Sequence, residues 1–421
     1  MAQLITTSPR GTQDVLGEGS YRWNYIERRL REICERFGYR EVRTPTFEHT
    51  ELFERGVGDT TDVVGKEMYT MTDKGGRSIT LRPEGTAGVA RAAIQGGVFA
   101  GTLPVRDYYL FNCFRYEKPQ AGRLREFHQL GIELYGCARP DGDVEAIRVA
   151  ATVLRELGIK NVKLKINSIG CPECRAKYRK ALQDFFCPHV SELCETCRSR
   201  LERNPMRLLD CKSPVCQEIA KDAPEMLDYL CDDCREHFAG VRAMLDDIGI
   251  EYEIDPRIVR GLDYYTRTVF EFVHTAAGAQ GTVCGGGRYD GLIETLGGPA
   301  TPAVGFGMGL ERLLAVLDSE GVEIPAPEGP SVFLAYIGDK GEALAQKLTA
   351  ELQAMGINAL YDINGRSLKA QMKYADKLGT RQIVVIGDDE ADAGSGTLKN
   401  MREKTEMPIA LTAERLAAAV R

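Results

Sequence analysis

The placement of the cysteines constrains this chain more than any other feature of its sequence. Nine of the thirteen cysteines lie between residues 171 and 234. Eight of these nine form four close pairs: Cys171 and Cys174, Cys194 and Cys197, Cys211 and Cys216, and Cys231 and Cys234. The apolar residues of this stretch recur with a helical period at 175–186, 191–204 and 223–241. We therefore predict a helical, cysteine-rich insertion over about 170–240 within a larger domain.

Two interpretations of the paired cysteines stay open. Two CxxC pairs about 20 residues apart are typical of zinc sites, because each pair supplies two thiolates to one face of a tetrahedral ion. A structural Zn²⁺ is therefore one interpretation. The other is a set of reduced thiols that pack small helices. The same packing role is predicted for the scattered Cys34, Cys113, Cys137 and Cys284.

Neither an export signal nor a membrane span is recognisable in the sequence. The N-terminus has no basic flank before an apolar core, and no apolar run is long enough to span a bilayer. We therefore expect a cytoplasmic protein without membrane contacts, in whose reducing surroundings disulfides are rare. The 54 Lys and Arg residues and 61 Asp and Glu residues give a net charge of −7. A protein that coats nucleic acid is usually basic, so any nucleic-acid contact must come from local patches.

The segments on either side of the insertion have the pattern of long strands. Alternation predicts strands at 78–82, 107–115, 126–135, 163–167, 268–273 and 282–285, which favours a mostly antiparallel sheet. A helix at 143–157 is predicted to pack on this sheet. A first helix at 21–37 is predicted from apolar residues spaced by three and four, with Gly38 after its end and a strand from Arg40 to Pro45.

The pattern changes again near the C-terminus. A Pro- and Gly-rich segment follows Leu317, and such a composition is typical of a linker. Beyond it, strands at 331–337, 358–361 and 382–386 alternate with helices at 341–355 and 367–378. This alternation favours a separate α/β domain with a largely parallel sheet. We therefore predict two domains, 1–325 with the insertion and 326–421.

Two motifs in the first domain could carry chemistry. In Phe114-Arg115-Tyr116-Glu117, the arginine ends one strand of a hairpin and could clamp a phosphate; a charged hairpin tip is the alternative. In the run from Gly305 to Arg312, alternating glycines allow close approach of a backbone or a flat ligand before a helix begins. Neither motif is a Walker loop or a dinucleotide fingerprint.

Taken together, these motifs resemble motifs 2 and 3 of class II aminoacyl-tRNA synthetases, and the segment 21–45 resembles motif 1, the dimer element of that class. The peptide Arg260-Gly261-Leu262-Asp263-Tyr264-Tyr265 is similar to the signature of the histidyl-tRNA synthetase family of the bacterial type, as are 81–86 and 286–292. The resemblance implies an α+β catalytic domain of the class II synthetase fold, the helical cysteine-rich insertion, and a C-terminal α/β anticodon-binding domain. It also implies a homodimer.

The resemblance further implies an enzyme that activates L-histidine with ATP and transfers it to histidine tRNA, a histidine–tRNA ligase activity. ATP would be a substrate, with Mg²⁺ neutralising the pyrophosphate. The implied catalytic residues are Arg260 and Arg115, and the implied ATP-binding residues are Arg115, Glu117 and Arg312. The implied histidine-binding residues are Glu84, Thr86, Gln129, Glu133, Arg260, Tyr264 and Tyr265.

Contacts with tRNA are expected at two places. The hairpin loop carries Lys118, Gln120, Arg123 and Arg125, which can grip phosphate or hydrogen-bond a base edge. In the second domain, Lys369, Lys373 and Lys377 share one helix face, flanked by Arg366 and Arg381. For both sets, a solvated charged surface is the alternative.

Two other functions compete with this one. A non-catalytic, histidine-binding regulatory paralogue of ATP phosphoribosyltransferase is similar to the catalytic domain. Such paralogues typically lack the C-terminal domain and have degraded catalytic peptides, whereas Arg115, Arg260 and Arg312 are all present here. A zinc-dependent nucleic-acid-binding module built on residues 171–234 would leave the remaining motifs unexplained.

Overall fold

The computed structural model of the chain describes residues 6–58, 61, 63–120, 122–275 and 281–420. The chain divides into two units, Met1–Ile324 and Pro325–Arg421. Within the described ranges, no helix is both long and apolar enough to cross a membrane.

The first unit combines a large sheet with helices on its faces. Its strands are β1 (Arg40–Glu41), β2 (Phe47–His49), β3 (Tyr69–Thr72), β4 (Ser78–Leu81), β5 (Val105–Phe114), β6 (Glu126–Tyr135), β7 (Val162–Ser168), β8 (Glu253–Ile254), β9 (Thr266–His274), β10 (Thr282–Arg288) and β11 (Ala303–Gly309). Its helices are α1 (Ser20–Arg36), α2 (Thr50–Val57), α3 (Thr86–Gln95), α4 (Pro140–Glu156), α5 (Pro172–Phe186), α6 (Glu195–Arg203), α7 (Pro214–Ala220), α8 (Asp232–Asp247), α9 (Leu292–Thr295) and α10 (Leu310–Ser319).

The large sheet is mostly antiparallel, as the alternating pattern predicted. In the described residues it has eight strands in the order β1-β5-β6-β11-β10-β9-β7-β8, and only the edge pairs β1–β5 and β7–β8 are parallel. The central hairpin β5–β6 places Phe111 opposite Gln129, and β11 pairs with β6 so that Gly305 lies opposite Glu133. The glycine-rich strand therefore lies beside the strand that carries the predicted histidine-binding side chains.

Helix α1 packs on this sheet through the predicted apolar stripe. Ile26, Leu30 and Ile33 are fully buried in the main core together with residues of β6, α4 and α10. Each such side chain contributes about 1.5–3 kcal/mol to folding through removal of apolar area from water. Gly38 has a φ of 83°, so the predicted glycine ends the helix in the left-handed region. The strand predicted at 40–45 is shorter, because β1 covers only Arg40–Glu41.

The insertion is helical, and α5 covers the whole of the helix predicted at 175–186, but the other two predicted helices differ from the structure. The helix predicted at 223–241 is interrupted: a short 3₁₀ turn spans Met226–Tyr229, and α8 begins only after Cys231. Cys231 has extended backbone angles and is the N-cap of α8, so the chain cannot continue one helix through it. Helix α6 is shorter than the predicted 191–204, and α7 was not predicted.

The second unit is an α/β domain with a mixed sheet. Its strands are β12 (Val332–Tyr336), β13 (Ala359–Tyr361), β14 (Gln382–Ile386), β15 (Ser395–Asn400) and β16 (Glu406–Ala410), and its helices are α11 (Gly338–Ala354), α12 (Leu368–Lys377), α13 (Asp388–Ala393) and α14 (Ala413–Val420). The three strands β13, β12 and β14 are parallel as predicted, while β15 and β16 form an antiparallel extension. This hairpin escaped prediction because Leu398 is the one residue of β15 that is buried.

Candidate active site

The large sheet and the insertion enclose a cavity of about 760 Å³. Ten of the predicted site residues line it: Glu84, Thr86, Arg115, Glu117, Arg123, Gln129, Arg260, Tyr264, Tyr265 and Arg312. They come from the ends of β4 and β5, the hairpin, β6, the peptide before β9 and the first turn of α10. Residues more than 200 positions apart in sequence therefore share one cavity.

The glycines of β10 and β11 make room for the site's polar side chains. A Cβ at Gly285 would lie 2.4 Å from the guanidinium of Arg260. A Cβ at Gly307 would lie 2.6 Å from Nε2 of Gln129, and one at Gly305 would lie 2.3 Å from Oε2 of Glu133. Real Cβ atoms do not come this close to other atoms, so an alanine at Gly285 or Gly307 would displace the side chain packed there, and at Gly305 the backbone carbonyl of Ile132 is closer still, at 2.1 Å. The close approach predicted from the glycine pattern is thus made by the protein's own side chains.

Arg260 is held firmly in the cavity wall. Its Nη1 donates to Oε1 of Glu271 at short range, and the other oxygen of Glu271 accepts from the Thr282 hydroxyl at 2.9 Å. Burial opposes the charge of Arg260, but the carboxylate of Glu271 together with Tyr265 and Tyr264 raises the pKa of the guanidinium. The Nε of Arg260 is buried without a hydrogen-bond partner among the described residues. The Nε–H group of Arg260 is therefore available to donate a hydrogen bond to a ligand.

Two further arginines are anchored through backbone carbonyls. Nε of Arg115 donates to the carbonyl of Pro83 at 2.8 Å, and Nη1 of Arg312 donates to the carbonyl of Thr282. Burial, followed by the charge of Arg123, lowers the pKa of Arg312. An anion bound between Arg312 and Arg123 would therefore relieve a repulsion between like charges.

Glu84 caps α3 from inside the cavity. Its two carboxylate oxygens accept the backbone N–H groups of Thr86 at 2.9 Å and Ala87 at 2.8 Å. Burial raises the pKa of Glu84, and these two hydrogen bonds oppose the rise. The hydroxyl of Tyr264 lies 3.5 Å from Oε2 of Glu84. The carboxylate thus has a structural role besides any contact with a ligand.

Glu133, predicted to bind histidine, is not among the described residues that line the cavity and is only 1% exposed. Its Oε2 accepts a short hydrogen bond from the hydroxyl of Tyr289, whereas Oε1 is buried without a hydrogen-bond partner in the described parts of the chain. Burial raises the pKa of Glu133 well above its ordinary value. On the same strand, Gln129 accepts a hydrogen bond from Tyr109 at 3.1 Å. One buried carboxylate oxygen is therefore available to a donor.

The hairpin loop divides its predicted tRNA-binding residues into two groups. Lys118 and Gln120 are exposed. Arg123 turns inward and pairs with Glu117 at 3.1 Å, while Arg125 donates to the Glu117 carbonyl at 3.2 Å. The loop residues therefore do not form a single outward surface.

In the second unit, the three lysines Lys369, Lys373 and Lys377 are exposed on one face of α12. Arg366 is instead held by the buried Asp362 at 2.9 Å and stacks on Tyr374, 4.4 Å from the ring centre. Arg381 pairs with Glu328 at 3.3 Å. The basic face predicted for this helix is thus formed by the lysines, and the two arginines that flank it are engaged elsewhere.

The eight paired cysteines form two clusters, and the pairing differs from the spacing rule. In the described residues, Cys171 and Cys174 meet Cys231 and Cys234 to form the outer cluster. Cys194 and Cys197 meet Cys211 and Cys216 to form the inner cluster, which lies inside the outer one in sequence. The CxxC pairs at 171 and 194, separated by the typical zinc spacing, therefore belong to different clusters.

Several residues of the cavity were missed by sequence reasoning. Glu271 holds Arg260 but lies in a strand without a motif, and Tyr289 holds Glu133 from within the noted segment 286–292. The insertion contributes a further set, which includes Arg200, Arg207 and Lys212. No sequence pattern identifies Glu271 as a site residue. For Lys212, the neighbouring Cys211 is a signal from which a contribution of the insertion to the cavity could have been predicted.

The fold and the site define a class. A mostly antiparallel sheet, a hairpin with Arg115 and Glu117, and a glycine-rich strand that leads into a helix bearing Arg312 are the elements expected from the resemblance to class II aminoacyl-tRNA synthetases. A family model described as histidyl-tRNA synthetase matches residues 11–313, and one described as an anticodon binding domain matches residues 331–420. The chain belongs to the histidyl-tRNA synthetase family.

Known proteins agree with this assignment over the whole chain. The histidine–tRNA ligase of Acetivibrio thermocellus is 54% identical over 408 residues, covering 97% of this chain and 98% of that protein. The crystal structure of apo histidyl-tRNA synthetase from S. aureus has a TM-score of 0.85 at 39% identity and covers 99% of this chain and 100% of the other. A chain from Bacillus halodurans C, described as an ATP phosphoribosyltransferase regulatory subunit/histidyl-tRNA synthetase, shares the fold at 22% identity, with a TM-score of 0.66 and coverage of 92% of this chain and 99% of its own.

Proposed function

We propose that the protein is a histidine–tRNA ligase that forms histidyl-adenylate and pyrophosphate from L-histidine and ATP, then transfers histidine to the 3′ end of histidine tRNA. The observation that carries this proposal is the convergence of Arg115, Arg260 and Arg312 on the cavity that Glu84 and Gln129 also line. Three guanidinium groups suit a reaction that needs stabilisation of phosphate charge more than covalent help. Carboxylate and amide groups beside them suit recognition of an amino acid.

ATP would bind along the arginine side of the cavity. Arg115 would bind the α-phosphate, because its Nε is fixed on Pro83 and its guanidinium lines the cavity, with Nη1 3.9 Å from Oε1 of Glu117. Arg312 would hold the γ-phosphate, and Glu117, already fixed by Arg123, would accept from the adenine amino group. Glu271 and Glu311 also line the cavity, where Glu271 accepts from Arg260 and Thr282, and Glu311 accepts from His128. Their remaining lone pairs would hold Mg²⁺, which would neutralise charge on the pyrophosphate.

Arg260 would stabilise the α-phosphate during attack by the histidine carboxylate. Its charge is permanent, and Glu271 fixes its orientation, so little reorganisation is needed when negative charge develops. The buried Nε without a partner supports this role, because an unpaired buried donor favours a ligand that brings an acceptor.

Histidine would be selected by hydrogen bonds to both ends of the molecule. Glu84, Thr86 and Gln129 would bind the α-amino group. Glu133 and Tyr264 would bind the imidazole, with Tyr265 packed against Tyr264 at 4.7 Å between ring centres. The unpaired Oε1 of Glu133 supports this arrangement, since an imidazole N–H could satisfy it. Sites that leave buried polar groups unpaired with the wrong ligand discriminate by about 10⁴–10⁵.

The tRNA would contact both units. Lys118 and Gln120 are exposed on the hairpin, where they could meet the acceptor end, with Arg123 and Arg125 positioning the loop. In the second unit, Lys369, Lys373 and Lys377 would meet phosphates. We further propose a homodimer through the segment 21–45 and a cytoplasmic location, which suits thirteen free thiols.

The experiment that tests this proposal is ATP–pyrophosphate exchange with each of the twenty amino acids, without tRNA. Exchange with histidine alone is expected. Histidine binding without exchange would favour the regulatory paralogue, against which the three arginines and the matched C-terminal domain argue. Exchange with another amino acid would leave the chemistry intact but overturn the roles of Glu84, Gln129, Glu133 and Tyr264.

A further inference from the structure

We propose that the insertion binds two Zn²⁺ ions, one on the four thiolates of each cluster, and that the inner ion fixes the part of the cavity wall that supports Arg260. The four sulfur atoms of each cluster all lie within 4.8 Å of one another. The Sγ–Sγ distances are 3.5 Å for Cys171–Cys174, 3.9 Å for Cys171–Cys231 and 3.8 Å for Cys194–Cys211. Four sulfurs placed ~2.3 Å from a central zinc are ~3.8 Å apart, so both clusters have the size of a ZnS₄ tetrahedron.

The backbone around each cluster favours thiolates over thiols. Cys171, Cys194 and Cys231 are each the N-cap of a helix, where the helix dipole stabilises negative charge. The N–H of Cys231 donates to Sγ of Cys174 at 3.1 Å. Within the inner cluster, the N–H of Cys194 donates to Sγ of Cys216 at 3.3 Å. In each cluster, the backbone of one pair thus donates to a sulfur of the other pair, as outer-shell donors do around bound metals.

Other occupants fit the clusters less well. All thirteen cysteines lie in the described ranges and are free, so no disulfide accounts for the clusters. Each cluster consists of sulfur ligands alone, which favours zinc or iron over magnesium or calcium. The sulfurs lie too close together to surround a cube of several iron atoms, which leaves a single tetrahedral ion.

The inner cluster is part of the cavity wall. Cys194 and Cys211 themselves line the cavity, with Arg200, Arg207 and Lys212 from the same segment. Nη1 of Arg207 lies 3.4 Å from the carbonyl of Arg260, and Nδ2 of Asn204 donates to Oδ1 of Asp263 at 3.1 Å. The segment between Cys197 and Cys211 therefore braces the Arg260 peptide from outside the sheet.

This segment cannot be rigid through its own secondary structure. Helix α6 has nine residues, and the 3₁₀ turn Pro205–Leu208 that follows has four. Helices of this length are marginal without tertiary support. An ion on Cys194, Cys197, Cys211 and Cys216 would tie both ends of the segment to one point. Arg207 and Asn204 then act as positioning residues for Arg260.

The outer cluster instead closes the insertion at its base. Cys171 follows β7 closely, and Cys234 lies in the first turn of α8, whose Phe238 and Val241 pack in the main core. Arg175, one turn into α5, donates to the carbonyl of Tyr265 at 3.2 Å. The outer ion would hold entry and exit of the insertion together and act on the cavity only through α5.

The first test is the metal content of the full-length protein, purified without chelators and measured by mass spectrometry after gel filtration. Two equivalents of zinc per chain are expected in the unmodified protein and in the control Cys187→Ser, which alters the exposed cysteine of the same insertion outside both clusters. One equivalent is expected in C194S/C197S and in C171S/C174S. Trace zinc, iron in place of zinc, or a single equivalent in the unmodified protein would overturn the proposal without reference to any variant.

The second test concerns positioning and rests on the proposed function. The C194S/C197S variant should form histidyl-adenylate about tenfold more slowly, because displacement of a catalytic group by a fraction of an ångström is costly. The Cys187→Ser control should retain the full rate. A normal rate in C194S/C197S, with one zinc lost, would overturn the positioning role alone. Two equivalents of zinc without amino-acid-dependent exchange in the unmodified protein would instead overturn the proposed function and leave the metal sites standing.

Discussion

The cations of the two units are held in contrasting ways. In the first unit, Arg260 is half-buried in the cavity wall, where Glu271 holds it and the absence of a side chain at Gly285 makes space for it. In the second unit, the lysines of α12 are exposed to solvent. The same formal charge is thus held by a carboxylate partner in one unit and surrounded by solvent in the other.

The difference teaches what each charge can do. A buried, oriented guanidinium acts at one point and needs no reorganisation when negative charge develops beside it. An exposed lysine attracts phosphate over about a Debye length, is screened by salt, and specifies no single geometry. We therefore expect substitutions in the first unit to change the rate of chemistry, and those on α12 to change RNA affinity and its salt dependence.

The largest effect is expected from removal of the fixed charge itself. Arg260→Ala should slow histidyl-adenylate formation by about 10²–10³-fold, the usual cost of losing one preorganised donor. The measurement is single-turnover formation of adenylate. Arg257→Ala is the matched control, because that arginine is exposed and lies three positions earlier in the same segment. A near-normal rate in Arg260→Ala would remove the residue from the mechanism.

A smaller loss of adenylate-formation rate is expected when Arg260 is retained but a methyl group at position 285 occupies the space of its guanidinium. Gly285→Ala would place a Cβ 2.4 Å from the guanidinium of Arg260, so the side chain must move. Misplacement by about 1 Å can cost about 10²-fold in rate. The control is Gly291→Ala, since a Cβ there meets nothing within 4 Å. Equal rates for the two variants in the adenylate assay would show that the position of Arg260 is not critical.

Removal of the charge of Glu271, which orients Arg260, should reduce the rate of adenylate formation by a still smaller factor. Glu271→Gln keeps the shape of the side chain but removes the charge, and we expect adenylate formation to fall about tenfold through weaker orientation. A double-mutant cycle checks the mechanism, because in an Arg260→Ala background the same change should have little further effect. Additive effects would mean that Glu271 acts independently of Arg260.

The smallest effects are expected from the exposed lysines of α12. Each of Lys369→Ala, Lys373→Ala and Lys377→Ala should weaken tRNA binding by a few-fold and reduce the slope of log affinity against log salt by about 1. Amino-acid-dependent exchange without tRNA should not change. Lys347→Ala on α11 is the control, as that lysine is also exposed. If the slope of log affinity against log salt is unchanged in the α12 variants, these lysines do not contact the phosphates of tRNA.

Much of the fold could be predicted because its signals are local. The stripe of Ile26, Leu30 and Ile33 specifies one face of a helix wherever that helix packs, and alternation in β5 and β6 specifies strands with two unlike faces. The hairpin β15–β16 could not be predicted in this way. Strand β15 has one buried apolar residue, Leu398, and it pairs along the edge that β14 offers.

The residues of the candidate site could be predicted from the sequence where they lie within a recognisable motif. Arg115, Arg260 and Arg312 stand in recognisable peptides, and all three reach the cavity. Glu271 could not be found, because a glutamate within an alternating strand has no pattern of its own. For Arg123 and Arg125 the contact with tRNA stays a prediction, and the structure adds a contact of each with Glu117 that the sequence did not indicate.

The sequence by itself determined the helical stripes, the strand alternation, the change to an α/β pattern and the identity of the motif residues, since each depends on neighbours a few positions away. Only the tertiary structure decided which cysteines meet. Spacing along the chain favours the pairs at 171 and 194, but α5, α6 and α8 carry these pairs to different clusters. Contacts between distant residues depend on how helices pack, and local spacing does not contain that information.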